Sequence, residues 1–337
     1  MKIVLNIWMP LNNRKEKIYG YYFLAPIYKD YIWGGNKLKK KYNKNSKNNI
    51  AESIEVIANK DDSVKVTNGK YGGISLFELF QDIQIREKIF GKYCINKKEF
   101  PIIIKFIDAK DNLSVQVHPS DNNNEKNELW YIVECSKGSQ VIAGIKGGIT
   151  KKDFIKLVKD EQIIRKLNYL DVDKGDCIYI PSGTIHSILK NVIILEVQQN
   201  CNITYRLFDW NRVDKNGKSR ELHIEKAINT IKVNNKAKKY QSNCNKGTNE
   251  VIKNKFFNVE KIIVKEIFKS YSNINTLFIM NVIEGNGKIC NSNNEYVLKR
   301  GDTFIIPATM GKYQIVGNLE IIKTSLVKEK IKNWRNL

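Results

Sequence analysis

The chain has 337 residues, 42% apolar and 10% aromatic, enough to bury the cores of two ordinary domains, and disorder as its main state is excluded. Its 57 Lys and Arg against 35 Asp and Glu leave a net charge of +22, scattered among Asn and Ile instead of gathered in one tract, which argues against a dedicated nucleic-acid arm. No stretch reaches the roughly 18 to 20 uncharged apolar residues of a membrane span, so no membrane association is expected.

In chain order, residues 1–20 read as a lead-in. Its apolar start, MKIVLNIWMP, is interrupted by Pro10 and meets no small-residue cleavage site, so no export signal is expected. Six cysteines (Cys94, Cys135, Cys177, Cys201, Cys244 and Cys290) show no CxxC and read as reduced thiols, which implies a cytoplasmic address. Folded structure is announced at 31–35 by aromatics and a Gly34-Gly35 turn. AESIEVIA and DSVKVT then read as short antiparallel strands. Residues 75–90 place Leu76, Leu79, Phe80, Ile83 and Ile89 near helical spacing, with Ser75 and Glu78 in the relation of a capping box. Ile- and Val-rich strands follow at 101–121 and 128–148, and a second helix is expected over 150–167 behind Thr150 and Asp153. Strands resume at Cys177, a third helix is expected over 221–231, and the Lys- and Asn-rich segment 236–250 has the composition of a solvated linker.

Residues 251–337 repeat the strand-and-turn text of the first part. KGDCIYIPSGTIHSI (174–188) aligns without a gap on RGDTFIIPATMGKYQ (300–314), Pro181 answering Pro307 and His186 falling opposite Lys312. The expectation is a mainly β protein of two related barrels with inserted helices: a catalytic domain over 21–235, a linker over 236–250, and a C-terminal domain over 251–337 that has lost the histidine's chemistry.

Only three histidines occur, so their positions are informative. In SVQVHP the side chains alternate, putting Gln116 and His118 on one face and Val115 and Val117 on the other. If the polar face points inward, each unpaired group costs about 1–3 kcal/mol, and a bound cation would satisfy both. Glu128, opening ELWYIV, and His186, ending PSGTIH, complete an N,N,O,O shell. The same spacing also fits a satisfied core histidine, an exposed histidine after a turn, and a surface carboxylate.

The ordered blocks YIWGG, AESIEV, VTNGKYGG, PIIIKFIDAKDNLSVQVHPSD, KNELWYIVE, PSGTIHSI, ILEVQQNCNITYRLFDWNR and GKSRELHIEKA cover most of the chain from about Tyr22 onward. They resemble type I mannose-6-phosphate isomerases, the cupin-fold family, in its short bacterial form. The resemblance implies two cupin (jelly-roll) barrels and one divalent metal, usually zinc, held by Gln116, His118, Glu128 and His186. It further implies an active-site arginine at Arg206, a lysine at Lys126, and a sugar-phosphate substrate. Two departures stand beside the matches: Ile54 replaces the family's usual Trp, and Glu128 follows His118 by only ten positions.

Such an enzyme moves a proton between C2 and C1 through an enediol, so it needs a base and an electrophile. Arg206 suits an oxyanion or a phosphate, its bland role being an ion pair with Asp209. Lys126 suits the phosphate or a proton transfer, its bland role being one more solvated lysine. His223 reads as a helix-packing residue, and alternation does not decide which way Lys105 faces. The competing expectations are a non-catalytic cupin that binds a sugar or regulates a protein, and a nucleic-acid binder. The latter lacks any groove-reading helix or stacking-aromatic motif, so no specific nucleic-acid partner is expected.

Overall fold

The structure is a computed structural model, and it describes residues 20–328 except 122–123, 161, 242–244 and 293. The lead-in 1–20 lies outside the described residues but for Gly20, as does Cys244.

Local signals set the helices. Ser75 accepts from the Glu78 amide while the Glu78 carboxylate accepts from Ser75, starting helix Leu76–Gln81. The single helix expected over 75–90 is two. Asp82 is extended (φ −76°, ψ 113°) and its carboxylate accepts from the Gln84 and Ile85 amides, capping a new helix, Ile83–Phe90. Thr150 and Asp153 form the second capping box, but helix Lys151–Lys159 stops at Asp160 and a 3-10 turn, Ile163–Lys166, replaces its expected end. The third helix is Ile224–Thr230.

The fold is mainly β. Strands Glu52–Val56, Ile102–Ala109, Glu128–Cys135, Asp176–Ile180 and Val192–Gln199 build most of a seven-stranded sheet. Val115–Val117, Gln140–Ile145, Leu167–Asp171, His186–Ile188 and Tyr205–Phe208 build a five-stranded one. The chain alternates between the two sheets, which share an apolar core: Ile107, Trp130, Ile178 and Ile194 from the first meet Val141 and Ile188 from the second. Both sheets are open, edged by Ile27–Lys29 and Lys238–Gln241 in one and by Leu167–Asp171 and Tyr205–Phe208 in the other. Closed barrels are therefore not what the hydrogen bonding shows. A sandwich of facing sheets buries the same core without closure.

A third, eight-stranded sheet holds Phe257–Tyr271, Phe278–Cys290 and Lys312–Leu326, and its core includes Ile262, Met280, Phe304 and Ile321. The segment expected as a linker contributes to two sheets. Lys238–Gln241 pairs with Asp176–Ile180, and Gly247–Lys253 pairs with Phe257–Tyr271. Lysines on an edge strand stay solvated and blunt the edge, which is why composition alone reads as linker there. Tyr22–Ala25, near the start of the chain, likewise pairs with Thr303–Ile306 of the C-terminal sheet.

The internal repeat is visible residue by residue. Gly175 and Gly301 both adopt the left-handed backbone (φ 92° and 90°). The aspartate after each closes the turn on the amide three residues earlier, Asp176 on Asp173 and Asp302 on Lys299, both at 2.7 Å. A strand, a proline and a further strand follow in each copy. The second of these strands begins at buried His186 in the first copy and at exposed Lys312 in the other.

The five described cysteines are free, with Cys94, Cys177 and Cys290 buried. No helix among the described residues is long and apolar enough to cross a membrane.

Candidate active site

Three neighbouring strands put their polar residues in one row. Arg206 lies opposite Gln116, and Gln116 opposite His186, so the three side chains share a face. Val115 and Val117 point the other way, into a cluster with Ile142 and Leu207. Glu128 arrives from the facing sheet, where it pairs with Ile180 and Gln198. The metal-ligating atoms of His118, Glu128 and His186 all lie within 4.8 Å of one another, and all three residues are buried.

Hydrogen bonds fix the tautomers. Nδ1–H of His118 donates to the Ile203 carbonyl at 2.9 Å, and Nδ1–H of His186 to the Thr184 carbonyl at 2.8 Å. A carbonyl only accepts, so each neutral ring turns an Nε2 lone pair into the site. Both rings are held neutral. Burial and then the neighbouring His118 lower the His186 pKa to about 3, and burial followed by Lys126 lowers that of His118. Burial alone would raise the Glu128 pKa, but Lys126, 2.9 Å away, overcomes it and holds the carboxyl well below its usual range.

The result is a corner crowded with lone pairs. His118 Nε2 and Glu128 Oε1 are 2.9 Å apart, and no well-directed hydrogen bond reaches either buried Glu128 oxygen. Lys126 Nζ offsets part of this, at 2.9 Å from Glu128 Oε1 and 3.2 Å from His118 Nε2. Glu128 Oε2 and His186 Nε2, 3.8 Å apart, are left to the other side of the site. There the Gln116 amide lies 3.4 Å from His186 Nε2, and its oxygen accepts from Ser114 at 3.1 Å. Turning that amide over would aim the oxygen inward while Ser114 accepts from the nitrogen. Two imidazole nitrogens, a buried carboxylate and an amide oxygen suit a divalent ion of the zinc class.

Gln116, Lys126, Glu128, His186 and Arg206 line a cavity of about 420 Å³, and His118 stands behind them against Lys126. A larger cleft of about 1660 Å³ opens elsewhere and is lined by none of these residues. The alternative role for Arg206, an ion pair with Asp209, is not the one it takes. Asp209 is taken by Arg212 and Arg220, and Arg206 donates to the Glu221 carbonyl at 2.7 Å. His223 packs as expected: its backbone amide donates to the Arg206 carbonyl at 2.7 Å, and its ring accepts from the Arg206 amide at 3.3 Å.

Three cavity residues, Glu52, Glu196 and Arg220, were missed by sequence reasoning, and alternation left the facing of a fourth, Lys105, undecided. Lys105 faces inward and pairs with Glu52 at 3.3 Å, where Glu52 and Glu196 outweigh burial and keep it charged. Glu196 lies between Lys105 and Trp130 in the register, accepts from the indole N–H at 3.2 Å, and is pushed up to about 7 by burial and by Glu128. A glutamate inside the apolar run VIILEV was the available signal, since a buried carboxylate needs partners.

Residues 22–130 match the family model for the phosphomannose isomerase type I catalytic domain, and residues 247–326 match that for the mannose-6-phosphate isomerase cupin domain. The chain is 32% identical over 316 residues to mannose-6-phosphate isomerase ManA of Bacillus subtilis, spanning 90% of this chain and 98% of the relative. The chain belongs to the type I phosphomannose isomerase family. Another relative, the mannose-6-phosphate isomerase of Streptococcus mutans, is 33% identical over 304 residues, covering 86% of this chain and 93% of its own length. The crystal structure of the Bacillus subtilis mannose 6-phosphate isomerase superposes with a TM-score of 0.80 at 29% identity, covering 90% of this chain and 99% of that one. The lone-pair cluster thus sits in a member of an isomerase family and between the sheets of a cupin-type fold.

Proposed function

We propose that this chain interconverts mannose 6-phosphate and fructose 6-phosphate through an enediol, using one zinc ion held by Gln116, His118, Glu128 and His186. The observation that carries this reading is the buried His118–Glu128–His186 cluster, whose ligating atoms converge within 4.8 Å and open on a cavity in a member of this family. When bound, the ion supplies Lewis acidity that stabilises negative charge on a substrate oxygen without any redox step.

The chain's own residues do the rest. Lys126, seated beside Glu128, offers a charged donor to the oxygens of the reacting carbons. Arg206 turns a planar, permanently charged donor group into the same cavity and holds a developing oxyanion or the substrate's anionic end. Thr184 and Ile203 carbonyls hold the two imidazoles so that neither ring can rotate its lone pair away. The net charge of +22 steers an anionic substrate, an on-rate effect that added salt weakens. The C-terminal sheet is read as a second, degenerate cupin domain divided from the first near 236–250, and the reduced cysteines support a cytoplasmic address.

The test is incubation with mannose 6-phosphate in heavy water. The expected result is fructose 6-phosphate carrying solvent deuterium at C1. Absence of product from metal-loaded protein would refute the reading, and complete retention of the C2 hydrogen at C1 would replace the enediol by a direct hydride shift.

A further inference from the structure

Asn127 stands in the chain between Lys126 and Glu128, yet it lines neither the cavity nor the larger cleft. It is only 3% exposed and comes immediately before strand Glu128–Cys135, whose neighbours in the sheet are Asp176–Ile180 on one side and Val192–Gln199 on the other. Its side chain bridges both neighbours. On one side Oδ1 accepts from the Tyr179 hydroxyl at 2.9 Å and from the Ser182 amide at 3.1 Å, and on the other Nδ2 donates to Gln199 Oε1 at 2.6 Å. The backbone doubles the second link: the Asn127 amide donates to Gln199 Oε1 at 3.0 Å, and the Asn127 carbonyl accepts from the Gln199 amide at 3.2 Å. A backbone N–H only donates, so Ser182 fixes which end of the Asn127 side chain is oxygen, and Asn127 does the same for Gln199.

The two segments tied in this way are the ones that aim the imidazoles. Just beyond Ser182 is Thr184, whose carbonyl accepts from His186 Nδ1–H at 2.8 Å, and beyond Gln199 is Ile203, whose carbonyl accepts from His118 Nδ1–H at 2.9 Å. The stretch between Gln199 and Ile203 is stiffened by fully buried Gln198, whose side-chain amide donates to the carbonyls of Gln199 and Cys201 at 3.1 and 3.0 Å. The Ser182 segment is also tied to the first histidine, the Gly183 amide donating to the His118 carbonyl at 3.1 Å. Glu128 follows Asn127 directly. One buried amide thus sets the spacing of the three segments that present the carboxylate and orient both rings. The bridge requires an acceptor on one side and a donor on the other. Aspartate has no donor for Gln199, and alanine leaves the Tyr179 hydroxyl and the Ser182 amide without their acceptor.

We propose that Asn127 is a positioning residue for the metal centre. It acts on His118 through Gln199 and Ile203, on His186 through Ser182 and Thr184, and on Glu128 along the chain. The proposal takes its ligand set from the isomerase reading, while its readout, metal affinity, does not depend on turnover.

The experiment measures zinc affinity of the full-length protein by competition with a chromogenic chelator, and the visible spectrum of the same protein loaded with cobalt(II). Zinc is expected to bind roughly 10- to 100-fold more weakly to Asn127→Ala than to wild type, with altered cobalt bands, because the two rings no longer hold one geometry. Gln199→Ala, at a partly exposed position that asks less of the fold, is expected to show a smaller loss in the same direction. Gln199→Glu keeps an oxygen for both Asn127 donors and is expected to restore most of it. Zinc affinity and cobalt bands equal to wild type in Asn127→Ala overturn the proposal, whatever its melting temperature, and so does wild-type protein that binds no zinc. If Asn127→Ala does not fold, Gln199→Ala decides, and a zinc affinity equal to wild type there overturns it. Zinc binding that depends on Asn127 in a protein without turnover would uphold the positioning role and overturn the isomerase reading alone.

Discussion

Replacing His186 by alanine is expected to leave the fold intact and to lower turnover by on the order of 10³-fold or more. His186 supplies one of the two Nε2 lone pairs in the cluster and faces Glu128 Oε2 at 3.8 Å. Without it a divalent ion keeps too few neutral-nitrogen ligands for tight binding, and the several kcal/mol of charge stabilisation the ion provides is lost, each 1.36 kcal/mol being tenfold in rate. The ring lies against Trp130 and His118, so alanine leaves a small cavity but strands no charge. Metal analysis of the purified variant is expected to show well under one ion per chain beside a far-ultraviolet spectrum like that of wild type. A variant that keeps both its metal and its activity would place the centre elsewhere.

Glu55→Ala is expected to cost about 3–5 kcal/mol of stability, the range for breaking a buried pair and leaving the other charge uncompensated. Glu55 is fully buried and binds Lys44 Nζ at 2.7 Å, itself only 5% exposed. It also accepts from Ser53 and from Thr303 at 2.6 Å each, and Thr303 in turn accepts from Asn281 at 2.9 Å. Lys44 donates to the Gly301 carbonyl as well. The network therefore ties the seven-stranded sheet to the turn and strand of the C-terminal sheet. Glu55→Gln, which keeps one acceptor oxygen for Lys44 and Ser53 while its NH2 turns to the Thr303 hydroxyl oxygen, is expected to cost less. Thermal unfolding of the two variants against wild type measures this, and equal melting temperatures for all three would show that the network contributes nothing.

The parts of the site that were legible in the sequence share a physical cause. SVQVHP is buried on one face and polar on the other, so a period of two assigns Gln116 and His118 to one side without further information. The Gly-Asp turns at 175–176 and 301–302 demand a left-handed glycine followed by a capping carboxylate, which makes the repeat visible despite divergent strands. Lys105 was not legible because Ile102–Ala109 is covered on both faces, where alternation carries no signal. Asp209 was offered to Arg206 by sequence proximity, yet Arg212 and Arg220 reach it first, a choice made by the loop's path. The break at Asp82 went unseen because the apolar spacing runs on through it, while its side chain caps the second helix. Strand Lys238–Gln241 was masked by its lysines, which suit an exposed edge and a linker equally well.

The most direct test of the central claim is a coupled assay of mannose 6-phosphate conversion on the purified protein, as isolated, after chelation, and after zinc is restored. The His118–Glu128–His186 centre predicts turnover that is lost to the chelator and recovered with about one zinc per chain. Turnover that persists in fully metal-free protein, or none in folded and metal-loaded protein, would contradict it.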